Sequence, residues 1–322
     1  MTRIGIIIVY FGRCPDFIRL FLNSCNSQSN IDFIFFTDWD WNNLQIPKNI
    51  VRYKTTIQEF NSLASNKVGI DIDVKVGYKL CDMKPAWTHI YEDYISNYDF
   101  IGYCDIDLFF GNIRNFFTDE IASSKDLFTI TTSYLSGALT IFKNNSMMRT
   151  LYREAKGWSY IFQDSKHFAF DEYLRAHPDD CEIESFSDLV FRKEREGKIR
   201  VEHSHYIGYE KRPFEEVYYN DGLVIAEGRE WIFFHYVVAK QYMFWCLPDW
   251  TNIPDSFYVN KYGFYTFASK PIKLFDLFAS RYYRKQLQNS LNVKMRTFKG
   301  LMRKMKIRDI LKAITKQLGE KI

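Results

Sequence analysis

Two aspartates separated by a single residue stand at the end of a short apolar run. The run covers residues 100–104, and the pair is Asp105 and Asp107. A short apolar segment with aromatic and β-branched residues fits a buried strand, and open α/β sheets bind ligands beyond the carboxyl ends of their strands. Two carboxylates placed there can hold a divalent cation that bridges to phosphate oxygens. The pair therefore indicates a metal site that also binds phosphate.

The same spacing occurs twice more, at Asp38-Trp-Asp40 and Asp71-Ile-Asp73, so the spacing alone decides nothing. Only Asp105 directly follows a continuous apolar run and is followed by a second apolar run and Gly111. The alternative interpretation is that the two carboxylates cap a loop or the start of a helix. The flanking apolar runs favour the metal site.

The elements that must position the pair alternate between strand and helix patterns. Apolar runs predict strands over residues 4–10, 31–36, 49–54, 100–104, 127–132 and 138–142. Helical periodicity predicts helices over residues 15–26, 56–65, 86–94 and 147–156, with another beginning at residue 170. This alternation is typical of an α/β fold with a mixed, mostly parallel sheet flanked by helices. Residues 177–224 give weak, loop-rich signals.

Length and composition indicate a folded protein with a large core. The chain has 322 residues, of which 47% are hydrophobic and 18% aromatic. Its net charge of +4 is uneven, because residues 281–322 carry thirteen Lys or Arg but only two acids. A basic tail on an acidic body is not a general nucleic-acid signature. We predict a catalytic domain over residues 1–280, a basic helical tail over residues 281–322 and no nucleic-acid partner.

The pattern of the tail and the cysteine content predict where in the cell the protein lies. Apolar residues recur among the basic ones of the tail at Leu301, Met305, Ile310, Leu311, Ile314 and Leu318. An amphipathic basic helix would lie on an anionic membrane surface, and the alternative is a solvated or oligomerising helix. Six scattered cysteines argue against a zinc site and a disulfide framework, and no apolar run is long enough for a signal peptide or a membrane span. We predict a cytoplasmic protein, peripheral on the inner face of the plasma membrane if the tail binds lipid.

Five segments occur in a characteristic order along residues 1–245. They are Lys79-Leu-Cys-Asp-Met-Lys-Pro-Ala86, Tyr98-Asp-Phe-Ile-Gly-Tyr-Cys-Asp-Ile-Asp107, Ser136-Gly-Ala-Leu-Thr-Ile-Phe-Lys-Asn144, Phe170-Asp-Glu-Tyr-Leu174 and Phe233-Phe-His-Tyr236. In this order the segments resemble the GT-A class of nucleotide-sugar glycosyltransferases, particularly bacterial enzymes that build capsular or lipopolysaccharide chains. The resemblance implies a GT-A (Rossmann-like) sheet, a nucleotide-sugar donor and a metal cofactor.

The resemblance implies that three side chains hold Mn²⁺ or Mg²⁺. Asp107 would be the more direct carboxylate ligand, and Asp105 would also touch the donor ribose. His235 would be the third ligand, since neutral imidazole suits Mn²⁺. The alternative is a satisfied core histidine, because the glycine-rich, Lys-Pro-Trp continuation of the family is replaced here by Val237-Val-Ala-Lys240.

The resemblance also places a UDP-sugar donor around the metal. Tyr10, Phe11 and Gly12, at the end of the first strand, would receive the base and ribose. Asp38, at the end of the second strand, would read the uracil edge. The alternative role for Asp38 is a loop cap.

Three residues before the metal strand would face the rest of the donor. Lys79 and Lys84 would contact its phosphates or sugar, and Asp82 would bind sugar hydroxyls. A solvated helix face is the alternative for all three. These assignments follow from the resemblance and not from the spacing.

The last carboxylates, Asp171 and Glu172, would open a helix after the donor half. In inverting GT-A enzymes such a carboxylate takes a proton from the acceptor hydroxyl, and in retaining enzymes a residue nearby contacts the donor sugar. The alternative is a helix N-terminal acid favoured by the helix dipole. The sequence leaves these roles open.

The expected activity is metal-dependent transfer of a sugar from a nucleotide donor to a growing surface polysaccharide or lipid-linked glycan. Two other classes stay open. One is a membrane-associated protein that binds a sugar nucleotide without turning it over. The other is an Asp-x-Asp phosphatase, against which Phe109 and the late position of the motif argue.

Overall fold

A computed structural model describes most of the chain. The described residues are 1–75, 77–175, 182–205, 207–210, 216–241, 245–248, 250, 252–260 and 263–266. They form two compact units, the first of which comprises the described residues of Met1–Glu210, Val217–Val237 and Asn252–Ser256. The second unit comprises the described residues that remain. The predicted tail, residues 281–322, and the boundary before it lie outside the described residues.

Strands and helices alternate in the early part of the first unit, and strands predominate after α8. The strands are β1 (Ile4–Tyr10), β2 (Ile31–Thr37), β3 (Ile50–Lys54), β4 (Phe100–Cys104), β5 (Leu108–Phe110), β6 (Leu127–Thr129), β7 (Leu139–Lys143), β8 (Val201–His203), β9 (Gly208–Tyr209), β10 (Val217–Asn220), β11 (Leu223–Ala226), β12 (Arg229–Trp231) and β13 (Phe233–His235). The helices are α1 (Ile18–Asn26), α2 (Ile57–Val68), α3 (Lys79–Met83), α4 (Trp87–Ile90), α5 (Asp119–Ser124), α6 (Ser146–Thr150), α7 (Trp158–Gln163) and α8 (Phe186–Arg195). The second unit contains β15 (Gly263–Tyr265) and all of β14 (Ser256–Asn260) except its first residue, and the two strands pair antiparallel, with Tyr258 opposite Tyr265.

The main sheet has seven strands in the order β3-β2-β1-β4-β7-β6-β8. All its strands run parallel to one another except β7, which is antiparallel to both of its neighbours. Helices cover both faces. Alternate residues of β1 point to opposite sides, so Ile7 belongs to one hydrophobic cluster with residues of α2, α4 and α8, whereas Ile6 belongs to another with residues of α1 and α5. The predicted α/β fold with a mixed, mostly parallel sheet flanked by helices is confirmed.

The chain changes direction within this sheet between β1 and β4. From β1 it adds β2 and β3 on one side, and it then returns to place β4 on the other side of β1. Ile7 of β1 pairs with Tyr103 of β4 in parallel register, so both strands end at the same edge. Ligands of open α/β sheets bind in the crevice at such a reversal of strand order. The ends of β1 and β4 are therefore where a ligand is expected.

A small second sheet lies beyond that edge. It has the order β5-β13-β9, in which β5 and β13 are antiparallel and β13 and β9 are parallel. The strand β5 begins directly after Asp107, and β13 ends at His235. Nearby in the chain, β10, β11 and β12 form an antiparallel meander. The small sheet joins the late part of the first unit to the end of the main sheet.

Two helix predictions are wrong in detail. Residues 86–94 form short turns instead of one helix: 3-10 turns at Lys84–Ala86 and Glu92–Tyr94 flank α4. The helix α4 ends before Tyr91, whose φ of −105° and ψ of 26° depart from helical geometry. No helix begins at residue 170, because Asp171 and Glu172 lie in a turn. Ala169 has a positive φ of 59°, which breaks helical geometry there.

Other expectations need smaller corrections. The stretch predicted to be loop-rich contains α8, which begins with a capping box formed by Ser185 and Asp188. The first helix begins at Ile18 instead of residue 15, and the second extends to Val68 before Gly69 ends it with a φ of 79°. The described part of the chain contains no helix with the length and apolar character to cross a bilayer.

Gly102 in β4 tests how tightly the main sheet is packed beside the site. A Cβ at this position would lie 2.6 Å from the carbonyl oxygen of Thr140 in β7. We expect Gly102→Ala to lower the free energy of unfolding by about 1–3 kcal/mol, because the backbone of β7 must move. Urea denaturation measures this change.

The matched control is Gly77→Ala, since no atom lies within 4 Å of a Cβ at Gly77. Gly77 is also exposed and has an ordinary φ. Equal unfolding free energies for the two variants would contradict the close approach of β4 to β7.

Candidate metal centre

Asp105 and Asp107 directly follow β4 at the carboxyl edge of the main sheet. Residues 105–107 form a bend between β4 and β5, not the start of a helix. The strand β5 pairs with β13, which sets Leu108 opposite His235. This pairing brings a residue far along the chain to Asp105 and Asp107. The three predicted metal ligands are neighbours in space.

The three side chains offer atoms suited to a cation. Their ligand atoms all lie within 4.8 Å of one another. The Nε2 atom of His235 lies 3.1 Å from Oδ1 of Asp107 and 3.9 Å from Oδ2 of Asp105. Carboxylate oxygens and imidazole nitrogen are ligands that Mn²⁺ accepts, and Mg²⁺ favours the oxygens. The donor set therefore fits the predicted ion.

Glu210 contacts the other side of the imidazole. It directly follows β9, and its Oε1 lies 2.9 Å from Nδ1 of His235. Sequence reasoning missed this residue because the signals over residues 177–224 were weak. A two-residue strand has no periodicity to find, so only the fold reveals the contact.

Three carboxylates around one buried imidazole determine its charge state. Burial lowers the pKa of His235, but hydrogen bonds to Asp107 and Glu210 and the charge of Asp105 outweigh it and raise the pKa to about 10. In the chain alone, the imidazolium is thus the cation that balances these carboxylates. The same negative environment attracts a metal cation that replaces the proton.

Lys84 links the metal ligands to a second acidic group. Its Nζ lies 2.7 Å from Oδ1 of Asp105 and 3.3 Å from Oδ2 of Asp171, and it donates to the carbonyl of Gly137 at 2.9 Å. Burial alone would lower the pKa of Lys84, but the charges of Asp105 and Asp171 hold it well above its usual value. The ammonium is therefore charged and lies between two carboxylates.

Asp171 and Glu172 lie near Gly137, whose carbonyl accepts from Lys84. The amide of Gly137 donates to Oε1 of Glu172 at 2.9 Å. Burial raises the pKa of Asp171 to about 7, although the Lys84 charge opposes the shift. Burial also raises the pKa of Glu172, against the hydrogen bond from Gly137. Both acids can therefore take up a proton closer to neutral pH than an exposed carboxylate.

Asp82 supports the turn that carries these acids. It is completely buried, and its oxygens accept hydrogen bonds from the amides of Phe168 (3.0 and 3.2 Å) and Phe170 (2.9 Å). Lys79 donates to Asp82 at 3.0 Å, to the carbonyl of Lys166 at 2.8 Å and to the carbonyl of Ile161. These three contacts use all three donors of the ammonium. In this structure Lys79 and Asp82 shape the turn instead of facing a ligand.

The alternative of a solvated helix face for Lys79, Asp82 and Lys84 is wrong, because all three are buried. Of the three, Lys84 is the one that reaches the metal ligands. A donor contact for Lys79 and Asp82 stays a prediction from the resemblance.

Asp82, Asp171 and His167 form a second group with ligand atoms within 4.8 Å of one another. This group is poorly suited to a metal. Lys79 already neutralises Asp82, and Lys84 lies 3.3 Å from Asp171. A further cation would meet both ammonium groups. Lys84 also pairs with Asp105 in the group containing His235, but that group lies where the strand order reverses and is therefore the better candidate.

The end of β1 lies beside the metal ligands, as the sheet order requires. The amide of Gly12 donates to both oxygens of Asp38, at 2.9 and 3.1 Å, so Asp38 caps the loop after β1. Tyr10 packs against Trp39, with ring centroids 5.1 Å apart, and Phe11 packs against Phe60 at 5.9 Å. The structure thus brings Gly12 and Asp38 together, and a base contact for Asp38 stays a prediction.

Comparison with known protein families shows which family this chain belongs to. One family model matches residues 6–266, and its description reads family of unknown function (DUF6625). The chain belongs to the DUF6625 family. The match covers all the candidate site residues of this DUF6625 protein. A search of curated proteins finds no match.

Two solved structures align with this DUF6625 protein. Mouse xyloside xylosyltransferase 1, in its apo form, shares 7% identity at a TM-score of 0.36, with 65% of this chain and 87% of that chain covered. The galactosyltransferase LgtC, in complex with donor and acceptor sugar analogues, shares 10% identity at a TM-score of 0.32, with 52% and 70% covered. At these scores neither likeness carries a functional argument.

The buried acid Asp171 gives a testable dependence of stability on pH. Its folded pKa of about 7 exceeds the value of 3.8 for a free side chain, so the folded state favours the protonated form. Its contribution to stability is complete below about pH 4 and is lost as the pH rises to about 7. Asp171→Asn should remove this loss, so between pH 4 and 7 the variant should gain a few kcal/mol relative to the wild type.

Urea denaturation across this pH range measures the difference. Asp40→Asn is the control, since Asp40 is exposed and the substitution should leave the wild-type pH dependence unchanged. A difference between Asp171→Asn and the wild type that stays constant with pH would contradict the raised pKa.

Proposed function

We propose that this DUF6625 protein is a metal-dependent glycosyltransferase that uses a nucleotide sugar, with UDP as the nucleotide. The observation that carries the proposal is the grouping of Asp105, Asp107 and His235 where the strand order reverses between β1 and β4. A cation there would lie beside the crevice in which α/β sheets bind nucleotides. The expectation drawn from the sequence resemblance agrees with this geometry.

The three side chains would hold Mn²⁺, with Mg²⁺ as the substitute. When bound, the ion would act as a Lewis acid and neutralise the negative charge that develops on a departing nucleoside diphosphate. The protein's part is to keep the ligands together on two short paired strands. The pairing of Leu108 with His235 does this.

Lys84 would prepare the two acidic groups for their separate roles. Its ammonium holds Asp105 and Asp171 together, with Nζ–O distances of 2.7 and 3.3 Å. A carboxylate that is shared with a buried ammonium has a fixed position, which lowers the cost of organising the ligand set. Lys84 thus orients Asp105 without needing to touch the diphosphate.

Asp171 and Glu172 would face the sugar end of the donor or the acceptor hydroxyl. With a pKa of about 7, Asp171 can exchange a proton near neutral pH, as a general base requires. An inverting reaction would use a carboxylate of this pair to take the acceptor proton. A retaining reaction would use it to hold the donor sugar, and the anomeric configuration of the product distinguishes the two routes.

The nucleotide would lie toward the end of β1. Tyr10, Phe11 and Gly12 follow the buried part of this strand, and Asp38 fixes the Gly12 amide. Gly12 has a positive φ of 92°, and no atom lies within 4 Å of a Cβ at this position. A base and ribose would lie on this turn.

The acceptor would be a growing surface polysaccharide or a lipid-linked glycan. The basic residues at 281–322 support this part of the proposal, because clustered Lys and Arg favour anionic membrane surfaces. A cytoplasmic location at the inner face of the membrane would give the enzyme access to both nucleotide sugars and such acceptors.

The metal-dependent binding of UDP is the direct test. With Mn²⁺ and UDP present, the wild type should show a rise in melting temperature, because a ligand that binds only the folded state stabilises it. Asp107→Asn should lose this rise, since the neutral amide is a weak cation ligand. Thermal shift assays with UDP, other nucleoside diphosphates and each metal measure the effect.

Asp73→Asn is the control variant, because Asp73 belongs to another Asp-x-Asp triplet and forms an exposed ion pair with Lys75. It should retain the full shift. No shift of the wild type with any nucleoside diphosphate would overturn the proposal. Phosphatase activity that disappears in Asp105→Asn, without nucleotide binding, would identify a phosphatase instead.

A substitution at Gly137 tests the role of Asp171 and Glu172 in turnover separately from metal binding. A Cβ there would lie 2.7 Å from Oδ2 of Asp171, and 3.0 Å from both Oε1 of Glu172 and Nζ of Lys84. Gly137→Ala should therefore displace the acid pair and reduce sugar transfer or UDP-sugar hydrolysis by at least about tenfold, while Mn²⁺ binding persists. Product assays and Mn²⁺ titration give the two readouts. Unchanged turnover would show that this acid pair does not take part.

A further inference from the structure

Glu210, His235 and Asp107 form a line of hydrogen-bonding contacts through one imidazole ring. The Nδ1 atom of His235 lies 2.9 Å from Oε1 of Glu210, and Nε2 lies 3.1 Å from Oδ1 of Asp107. Both ring nitrogens are thus engaged by carboxylates. The histidine is buried, so water does not compete for these positions.

We propose that Glu210 is a positioning residue that fixes His235 so that Nε2 faces the cation. The inference rests on the proposed metal site and adds a residue to it. A neutral imidazole carries one N–H, and which nitrogen carries it is set by the hydrogen bond that the ring makes. With Nδ1–H donated to Glu210, the lone pair of Nε2 points toward Asp105 and Asp107.

The fold holds Glu210 in place through strand pairing. In the parallel ladder between β9 and β13, Tyr209 pairs with Phe234. The residues that follow this pair are Glu210, just after β9, and His235, so the strand register brings them to the same level. Tyr209 is buried and packs against Trp231 and Phe234, with ring centroids 4.9 and 5.7 Å apart. The carboxylate therefore directly follows a packed strand.

A second glutamate–histidine pair in the chain shows what is particular to this one. His203 Nε2 lies 2.7 Å from Glu194 Oε2, which is as close as the Glu210 contact. His203 does not belong to either group of potential metal ligands among the described residues. A pair alone does not make a metal site. At His235, the second nitrogen faces two aspartates.

Partners that bind the second nitrogen of a metal-ligating histidine influence metal affinity strongly. Such a carboxylate sets the tautomer, holds the ring and makes the other nitrogen more basic, and its loss weakens metal binding roughly 10- to 100-fold. Glu210→Ala should therefore weaken Mn²⁺ binding by about this factor. Glu210→Gln should have a smaller effect, because the amide oxygen still accepts Nδ1–H but lacks the charge.

The test is Mn²⁺ titration of the full-length protein without nucleotide, followed by electron paramagnetic resonance. Pulsed measurements report a histidine nitrogen bound to Mn²⁺, and this signal should be present in the wild type and absent in His235→Ala. The control is Glu194→Ala, which removes the matched pair at His203 and should keep wild-type affinity. Metal-free unfolding of each variant shows whether the fold is retained.

The outcomes separate the two levels of the proposal. If the wild type binds no Mn²⁺, the metal site fails and the role of Glu210 fails with it. If the wild type binds Mn²⁺ and Glu210→Ala binds it equally well, the positioning role alone is overturned. A graded loss from wild type to Gln to Ala, with the nitrogen signal weakened in the same order, supports it.

Discussion

The buried ammonium of Lys84 is the interaction on which the arrangement of the site depends. It lies within 3.3 Å of two carboxylates on different segments, Asp105 after β4 and Asp171 in a distant turn. Two carboxylates that share little water repel each other strongly, and removing one partner of a buried charge group costs about 3–5 kcal/mol. The Lys84 ammonium lies between them and attracts both, which offsets their repulsion. The metal side and the turn that carries Asp171 are thereby held together.

Carboxylates are also paired with cationic side chains on either side of Lys84. On one side, Lys79 neutralises Asp82, which in turn fixes the amides of Phe168 and Phe170. On the other side, the imidazole of His235 lies among Asp105, Asp107 and Glu210. Each of these carboxylates therefore has a cationic or N–H partner. A ligand would meet groups that are already oriented.

The sequence predicted the main sheet well because its signal is local. Continuous apolar runs predicted β1, β2 and β4. The run before Asp105 and Asp107 also distinguished this Asp-x-Asp pair from the other two. The joining of His235 to that pair depended on a resemblance, since no local pattern shows that β13 pairs with β5. Glu210 could not be found, because a two-residue strand has no periodicity. The helix expected at Asp171 failed because Ala169, just before it, has a positive φ of 59°, and no local pattern in the sequence marks that conformation.

The pairing of β5 with β13 has a consequence for how the protein forms. Asp107 and His235 are 128 residues apart in the chain, and every strand of the main sheet precedes His235. A growing chain emerges from its N-terminus at roughly 5–20 residues per second, so the sheet and both aspartates exist before the imidazole does. Closing a loop of this length also costs entropy that no local contact offsets. During synthesis, His235 can therefore join the two aspartates only at a late stage, when β13 pairs with β5.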